Sequence, residues 1–145
     1  MKKIIIGSRE YCSLPELGIE LIKAKVDSGA KTTALHADNL TKFSKNDENW
    51  VKFSLHPLKS KPELLVECEA KLIEKRVIKS SNGTKEERFV IETQLLLGNS
   101  SYPIEITLTN RKLMGFQMLL GRQALSERFL IDCEFRYLLG KPNNQ

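Results

Sequence analysis

Lys23-Ala24-Lys25-Val26-Asp27-Ser28-Gly29-Ala30 is the stretch on which the reading of this chain turns. It ends a run from Ile19 to Val26 in which Glu20, Ile22, Ala24 and Val26 occupy one alternate set, apolar beyond Glu20, and Ile19, Leu21, Lys23 and Lys25 the other. Strand side chains point to opposite faces in turn, so the apolar set predicts a strand with one buried face. Asp27, Ser28 and Gly29 then stop the run. Alone, these are common turn residues and define no more than a tight turn. Far along the chain stands a second segment, Met118-Leu119-Leu120-Gly121-Arg122, with Leu125 close behind. Its glycine, set among large aliphatics, allows two stretches of backbone to cross closely because no Cβ intervenes. Neither segment is specific alone; their pairing and order carry the information.

Working outward, Trp50 to His56 alternates through Val51, Phe53 and Leu55, after a polar loop read over Ser44 to Asn49. Leu64 to Lys79 and Glu87 to Leu97 are two long strand-like runs, separated by Ser80-Ser81-Asn82-Gly83-Thr84. Asn-Gly tolerates positive φ, so this is a hairpin signal. Tyr102 to Thr109 alternates again. Leu14 to Gly18 reads as a turn, Arg122 to Arg128 as a short helix, and Phe129 to Asp132 and Phe135 to Leu138 as short strands. Many short strands joined by glycine-containing turns predict an all-β fold, a closed or nearly closed barrel, with one short C-terminal helix.

The 145 residues suit a single domain, expected over 1–139 with a flexible tail over 140–145. Hydrophobic content of 41% and charged content of 28% place the chain with ordinary globular proteins, not with disordered or membrane-spanning ones. The start, Met1-Lys2-Lys3-Ile4-Ile5-Ile6-Gly7, is too short in its apolar part for a signal peptide and meets Arg9 and Glu10 at once. It reads as a first strand, and the protein as cytoplasmic. Cys12, Cys68 and Cys133 show no paired spacing and read as free thiols in a reducing compartment. The formal charge of +5 comes from scattered basic residues mixed with acids. That pattern is a solvated surface or, as the alternative, attraction to an acidic partner.

The Asp27 and Leu119-Leu120-Gly121-Arg122 segments together resemble the signature of retropepsin-like aspartic proteases, and the match continues through Lys31-Thr32-Thr33-Ala34-Leu35. The nearest likeness is to a bacterial branch of that family. It rests on Ser8-Arg9-Glu10, Leu14 to Ile19, Lys23 to Ala30, Ala34-Leu35-His36-Ala37, Ser80 to Gly83, and Met114-Gly115-Phe116 leading into the second segment. The resemblance implies an acid-protease barrel. It makes Asp27 half of a catalytic dyad, with Ser28 tying two active-site loops together and Gly29 allowing their approach. Ala30, Lys31, Ser81, Asn82 and Gly83 would meet substrate, the last three at the tip of a flap. Leu119, Leu120, Gly121 and Arg122 would support the loop.

Two carboxylates close enough to share a proton cannot both ionise, so one holds the proton while the other activates water; aspartic proteases are the standard instance. One chain carries one such motif, since Asp38, Asp47 and Asp132 lack its context. A two-fold homodimer is therefore expected, with peptide or protein as substrate, no nucleic acid, no membrane and no cofactor. Lys31, with Lys79, Lys85 and Arg88 of the hairpin, predicts a preference for acidic or glutamate-rich segments. The alternatives are a non-catalytic module that binds an extended peptide on the same fold, or a zinc-dependent hydrolase. Members of the branch are often labelled ATP-dependent zinc proteases, and some are associated with ribosomal-protein glutamate ligases. The zinc label fits these residues poorly: there is no HExxH and no Walker loop, and the two histidines, His36 and His56, show no ligand spacing.

Overall fold

In the computed structural model, which describes residues 2–58, 60–79, 82–113 and 115–141, the regular structure is almost wholly strands. In order they are β1 (Ile4–Ile6), β2 (Arg9–Leu14), β3 (Ile19–Val26), β4 (Thr33–His36), β5 (Asp38–Lys45), β6 (Glu48–Leu55), β7 (Val66–Lys79), β8 (Lys85–Leu97), β9 (Ser100–Thr109), β10 (Met118–Leu120) and β11 (Phe129–Ile131). One short helix, α1 (Arg122–Leu125), follows β10, and Pro15–Leu17 forms a single 3-10 turn.

Six strands close a barrel in the order β2-β3-β10-β4-β9-β8, and Ser13 of β2 pairs with Leu96 of β8 to complete the ring. The closed all-β barrel expected from the turn spacing is therefore the observed architecture. From β8 the sheet continues outward through β7, β6 and β5. The barrel interior holds Cys12, Leu14, Ile22, Ala24, Leu35, Ile91, Leu95, Ile106, Met118 and Leu120, all buried. Burial of these apolar side chains is the main stabilising term, at about 1.5–3 kcal/mol for each large aliphatic one.

β3 follows its predicted bounds, but its alternation is broken once. Cys12 pairs with Ile22 and Leu14 with Ile19, so β3 carries an extra residue between them. That bulge turns Ile19 inward together with Ile22, although strict alternation put them on opposite faces.

Other expectations are corrected. Ser44 to Asn49 is not a loop: β5 and β6 meet at Asn46 and Asp47, both left-handed at φ 51° and 63°. These are residues that tolerate that conformation, and the pair makes a tight hairpin. β5 itself was not foreseen, because Asp38–Lys45 has almost no apolar alternation and lies mostly exposed. Phe135 to Leu138 is irregular, with a bend at Arg136, and is not a strand. The helix ends at Leu125 instead of Arg128.

The C-terminal segment is tied back to the N-terminus. β11 pairs in parallel with β1, and the Glu10 carboxylate, fully buried, accepts N–H donations from Gly7, Leu138 and Leu139 at 2.7–3.2 Å. Three donors stabilise a carboxylate that burial would otherwise penalise heavily. No helix among the described residues is long and apolar enough to cross a membrane.

Candidate active site

The two motif segments meet. β10 lies between β3 and β4, parallel to the first (Leu119 beside Lys25, Leu120 beside Val26) and antiparallel to the second (Met118 beside Leu35). Asp27, the first residue past β3, donates its N–H to the Leu120 carbonyl at 2.9 Å. The turn that follows is closed by Ala30 N–H to the Asp27 carbonyl at 3.2 Å.

α1 starts directly against this turn. Arg122 N–H bonds the Ala30 carbonyl at 2.8 Å, Gln123 N–H bonds the Lys31 carbonyl at 3.0 Å, and the Arg122 guanidinium donates to the Ser28 carbonyl at 2.9 Å. Arg122 thus clamps the loop directly. Gly121 sits where any Cβ would lie 2.6 Å from the Thr32 carbonyl carbon, so the close crossing read from the sequence is present. Its N–H donates to Thr33 Oγ1 at 3.1 Å, and Thr107 Oγ1 donates to the Thr33 carbonyl at 3.2 Å. Thr33, wholly buried, lies in the matched run that follows Asp27, but no sequence signal gave it this supporting role.

Within this scaffold Asp27 is half-buried, and its Oδ1 accepts the Gly29 N–H at 2.9 Å. Ser28 and Gly29 are exposed, Ala30 is half-buried and Lys31 is exposed. The carboxylate is thus oriented by its own turn and reachable from solvent. Leu120 is buried beneath it, and Leu119 half-buried beside it.

The β7–β8 ladder ends with Lys79 beside Lys85. Gly83 is left-handed at φ 87°, and the Asn82 carboxamide accepts the Thr84 N–H at 3.1 Å. Asn82 and Gly83 are exposed, and Ser81 lies outside the described residues. Ile73 and Val77 on the outer part of the arm are 46% and 61% exposed, so it leaves the barrel with apolar side chains uncovered. Arg88 is not a free cation of this hairpin. Its Nε holds Glu86 at 2.9 Å, and the side chain is only 10% exposed.

The histidines come together in a way their spacing did not suggest. His36 Nε2 stands 3.9 Å from Asp38 Oδ1 and His56 Nε2 3.8 Å from Asp38 Oδ2, while their Nδ1 atoms face the Gln117 carboxamide oxygen and the Pro62 carbonyl. Among the described residues no group of three or more His, Cys, Asp and Glu side chains is arranged to hold a metal ion. Two thiols are held in their unreactive form. Burial, then the nearby Glu10, raises Cys12 far above the ordinary thiol range. Burial, then Glu67, pushes Cys68 up to about 11.

A six-stranded barrel with an Asp-Ser-Gly turn locked under a Leu-Leu-Gly-Arg crossing defines the retropepsin-like class of fold. The chain belongs to the RimB-like family, described as retropepsin-like aspartic endopeptidase RimB, whose model matches residues 5–142. It is 50% identical over 143 residues to a "Probable alpha-L-glutamate ligase" of Desulfotalea psychrophila, and 47% identical over 142 residues to a protein of the same description from Shewanella halifaxensis. The matches take in 99% and 98% of this chain but 31% of each relative, so the chain spans about a third of their length. Among solved structures, the protein Lpg0085 of Legionella pneumophila, described as of unknown function, superposes with a TM-score of 0.78 at 27% identity, covering 95% of this chain and 99% of that one.

Proposed function

We propose that this chain is one subunit of a homodimeric aspartic endopeptidase in which the Asp27 carboxylates of two copies share a proton and activate water. The observation that carries the reading is the state of Asp27: oriented by the Gly29 N–H, fixed through Leu120, Gly121 and Arg122, and open to solvent. Such positioning costs the loop its freedom and contributes nothing obvious to the core. It suits a carboxylate kept ready for chemistry.

A surface for the second copy lies close by. β1 and β11 form a two-stranded sheet of their own, and Ile4, Ile5, Leu130, Ile131, Phe135 and Leu138 around it are 38–53% exposed. Free strand edges beside apolar side chains favour association. The sheet leads into Ser8, whose carbonyl accepts the Val26 N–H at 3.0 Å, one residue from Asp27. Gly29 is compatible with the same reading: among the described residues a Cβ there would meet only Asp27 Oδ1, at 3.2 Å, which leaves room for a neighbouring copy to approach.

The substrate in this reading is a peptide segment rich in glutamate. Lys31 stands exposed at the head of the site, and relatives named for ligating α-L-glutamate contain a region like this chain within a longer protein. A region that hydrolyses glutamyl peptide bonds would act on what such a ligase makes.

The test is peptide hydrolysis by wild type and Asp27→Asn. The substitution keeps the shape and removes the shared proton. It is expected to lower kcat/KM by at least about a thousandfold, the scale on which loss of a central catalytic group acts. Equal cleavage by both proteins would end the aspartic reading. Tight peptide binding by wild type without any hydrolysis would favour the peptide-binding module instead.

A further inference from the structure

Register, rather than sequence proximity, assembles a second feature on the face that carries Asp27. On β3, Lys23 and Lys25 share the strand parity of Asp27. Directly opposite on β2 stand Tyr11, beside Lys23, and Arg9, beside Lys25. On β10 Leu119 flanks Lys25, and Gln117 precedes that strand. A groove of about 190 Å³ opens on this face, lined by Arg9, Lys23, Leu58, Phe116, Gln117 and Tyr137 among others.

Its walls are fixed. The Arg9 guanidinium lies over the Phe116 ring at 4.9 Å, and Tyr137 stacks on Tyr11 with ring centroids 4.5 Å apart. Tyr137 is left-handed at φ 55° and donates its N–H to the Arg9 carbonyl at 2.8 Å. Its segment is in turn held by the buried Glu10 carboxylate. Neither Arg9 nor Lys23 meets a carboxylate among the described residues. A small groove with aromatic walls, a carboxamide and two cations without a counter-charge has the composition that recognises an anion on a short flexible stem. It is too small for a drug-sized ligand and the right kind of place for one side chain.

Lys23 lies four residues before Asp27, about 13 Å along the strand at roughly 3.3 Å per residue. An extended peptide advances at the same rate. A substrate that crosses Asp27 and runs alongside β3 would bring a side chain two to four residues from the scissile bond to this groove. We propose that the groove is a subsite for an acidic side chain of the bound peptide, with Arg9 and Lys23 as its specificity-determining residues. This rests on the peptidase reading above and extends it, by assigning the charge preference to a particular pair of residues away from the catalytic turn.

The experiment has two arms. In the first, kcat/KM is measured for matched peptides bearing Glu or Gln at each position two to four residues on either side of the cleaved bond. Wild type is expected to favour Glu at one such position by roughly fivefold, as two partly screened ion pairs would supply. The preference should shrink as salt rises. Arg9→Gln combined with Lys23→Gln brings the ratio to about one, Arg9→Lys retains most of it, and Lys42→Gln on the distant β5 leaves it alone. Lys23→Gln by itself, at an exposed position, guards against loss of fold and should halve the ratio or more. A Glu-to-Gln ratio unchanged in folded Arg9→Gln/Lys23→Gln protein overturns the subsite.

The second arm measures binding of a labelled glutamate-containing peptide and its glutamine counterpart to Asp27→Asn protein by fluorescence anisotropy. If wild type cleaves nothing but the binding preference still disappears with Arg9 and Lys23, the subsite stands and the peptidase reading falls. If cleavage depends on Asp27 but neither preference depends on Arg9 and Lys23, the subsite falls alone.

Discussion

Gly121 and Gly29 belong to the two paired motifs, yet their own chain requires only one of them. A Cβ on Gly121 would stand 2.6 Å from the Thr32 carbonyl carbon and 2.8 Å from its oxygen, backbone atoms that cannot swing aside. Gly121→Ala is therefore expected to destabilise the fold by about 1–3 kcal/mol, as overpacking does, and thermal unfolding will register it. Among the described residues a Cβ on Gly29 would touch only Asp27 Oδ1, at 3.2 Å, and Gly29 takes no left-handed φ. Gly29→Ala should leave the unfolding of the isolated chain within about 0.5 kcal/mol of wild type. A large loss in Gly29→Ala at monomer concentrations would mean that the turn is strained from within. The glycine of the second motif was thus read correctly as a close crossing. The support given by Thr33 was not legible, because a threonine carries no local signal for a partner more than eighty residues away.

At the scale of the element, the β7–β8 arm was legible and the β5–β6 hairpin was not. Asn82-Gly83 announced the first through turn chemistry, and both long strands carried β-rich sequence on either side. β5 hid because a strand exposed on most of its length needs no apolar alternation. Ile73 and Val77 lie uncovered on the outer arm, and we propose that this arm is the flap the resemblance implies. Its amides from Val77 to Lys79 and Thr84 to Glu86 are expected to exchange fast in free protein and to slow at least tenfold with a peptide-like inhibitor bound, an opening equilibrium readable by hydrogen exchange. Exchange that is the same with and without inhibitor would leave the arm an ordinary surface hairpin. The charge expected of this arm is smaller than its sequence implied, because Glu86 neutralises Arg88.

At the scale of the whole molecule, one chain offers one Asp-Ser-Gly turn, an apolar two-stranded sheet beside it, and no second carboxylate of that context. Sedimentation velocity across a concentration series, run beside activity, is expected to show hydrolysis rising with the dimer fraction. Charged substitutions in the β1–β11 patch, such as Leu130→Lys, should shift both toward monomer together by about tenfold or more in dissociation constant, as loss of an interface apolar anchor does. Full specific activity in demonstrated monomer would rule out the shared dyad.

The sequence by itself determined the class of fold and the location of the Asp27-Ser28-Gly29 turn. Those depend on short-range matters, namely alternation, turn residues, and two motifs whose order is fixed along the chain. Only the tertiary structure decided the contacts that hold that turn and the residues farther along its face. Pairing β10 between β3 and β4 set Arg122 on the Ser28 carbonyl and Thr33 on Gly121. The β2–β3 register placed Arg9 across from Lys25, and the buried Glu10 anchored the segment that brings Tyr137 to the same groove. Long-range strand register sets a side chain's neighbours, and register follows from how a whole barrel closes around its core, which no local stretch of sequence encodes.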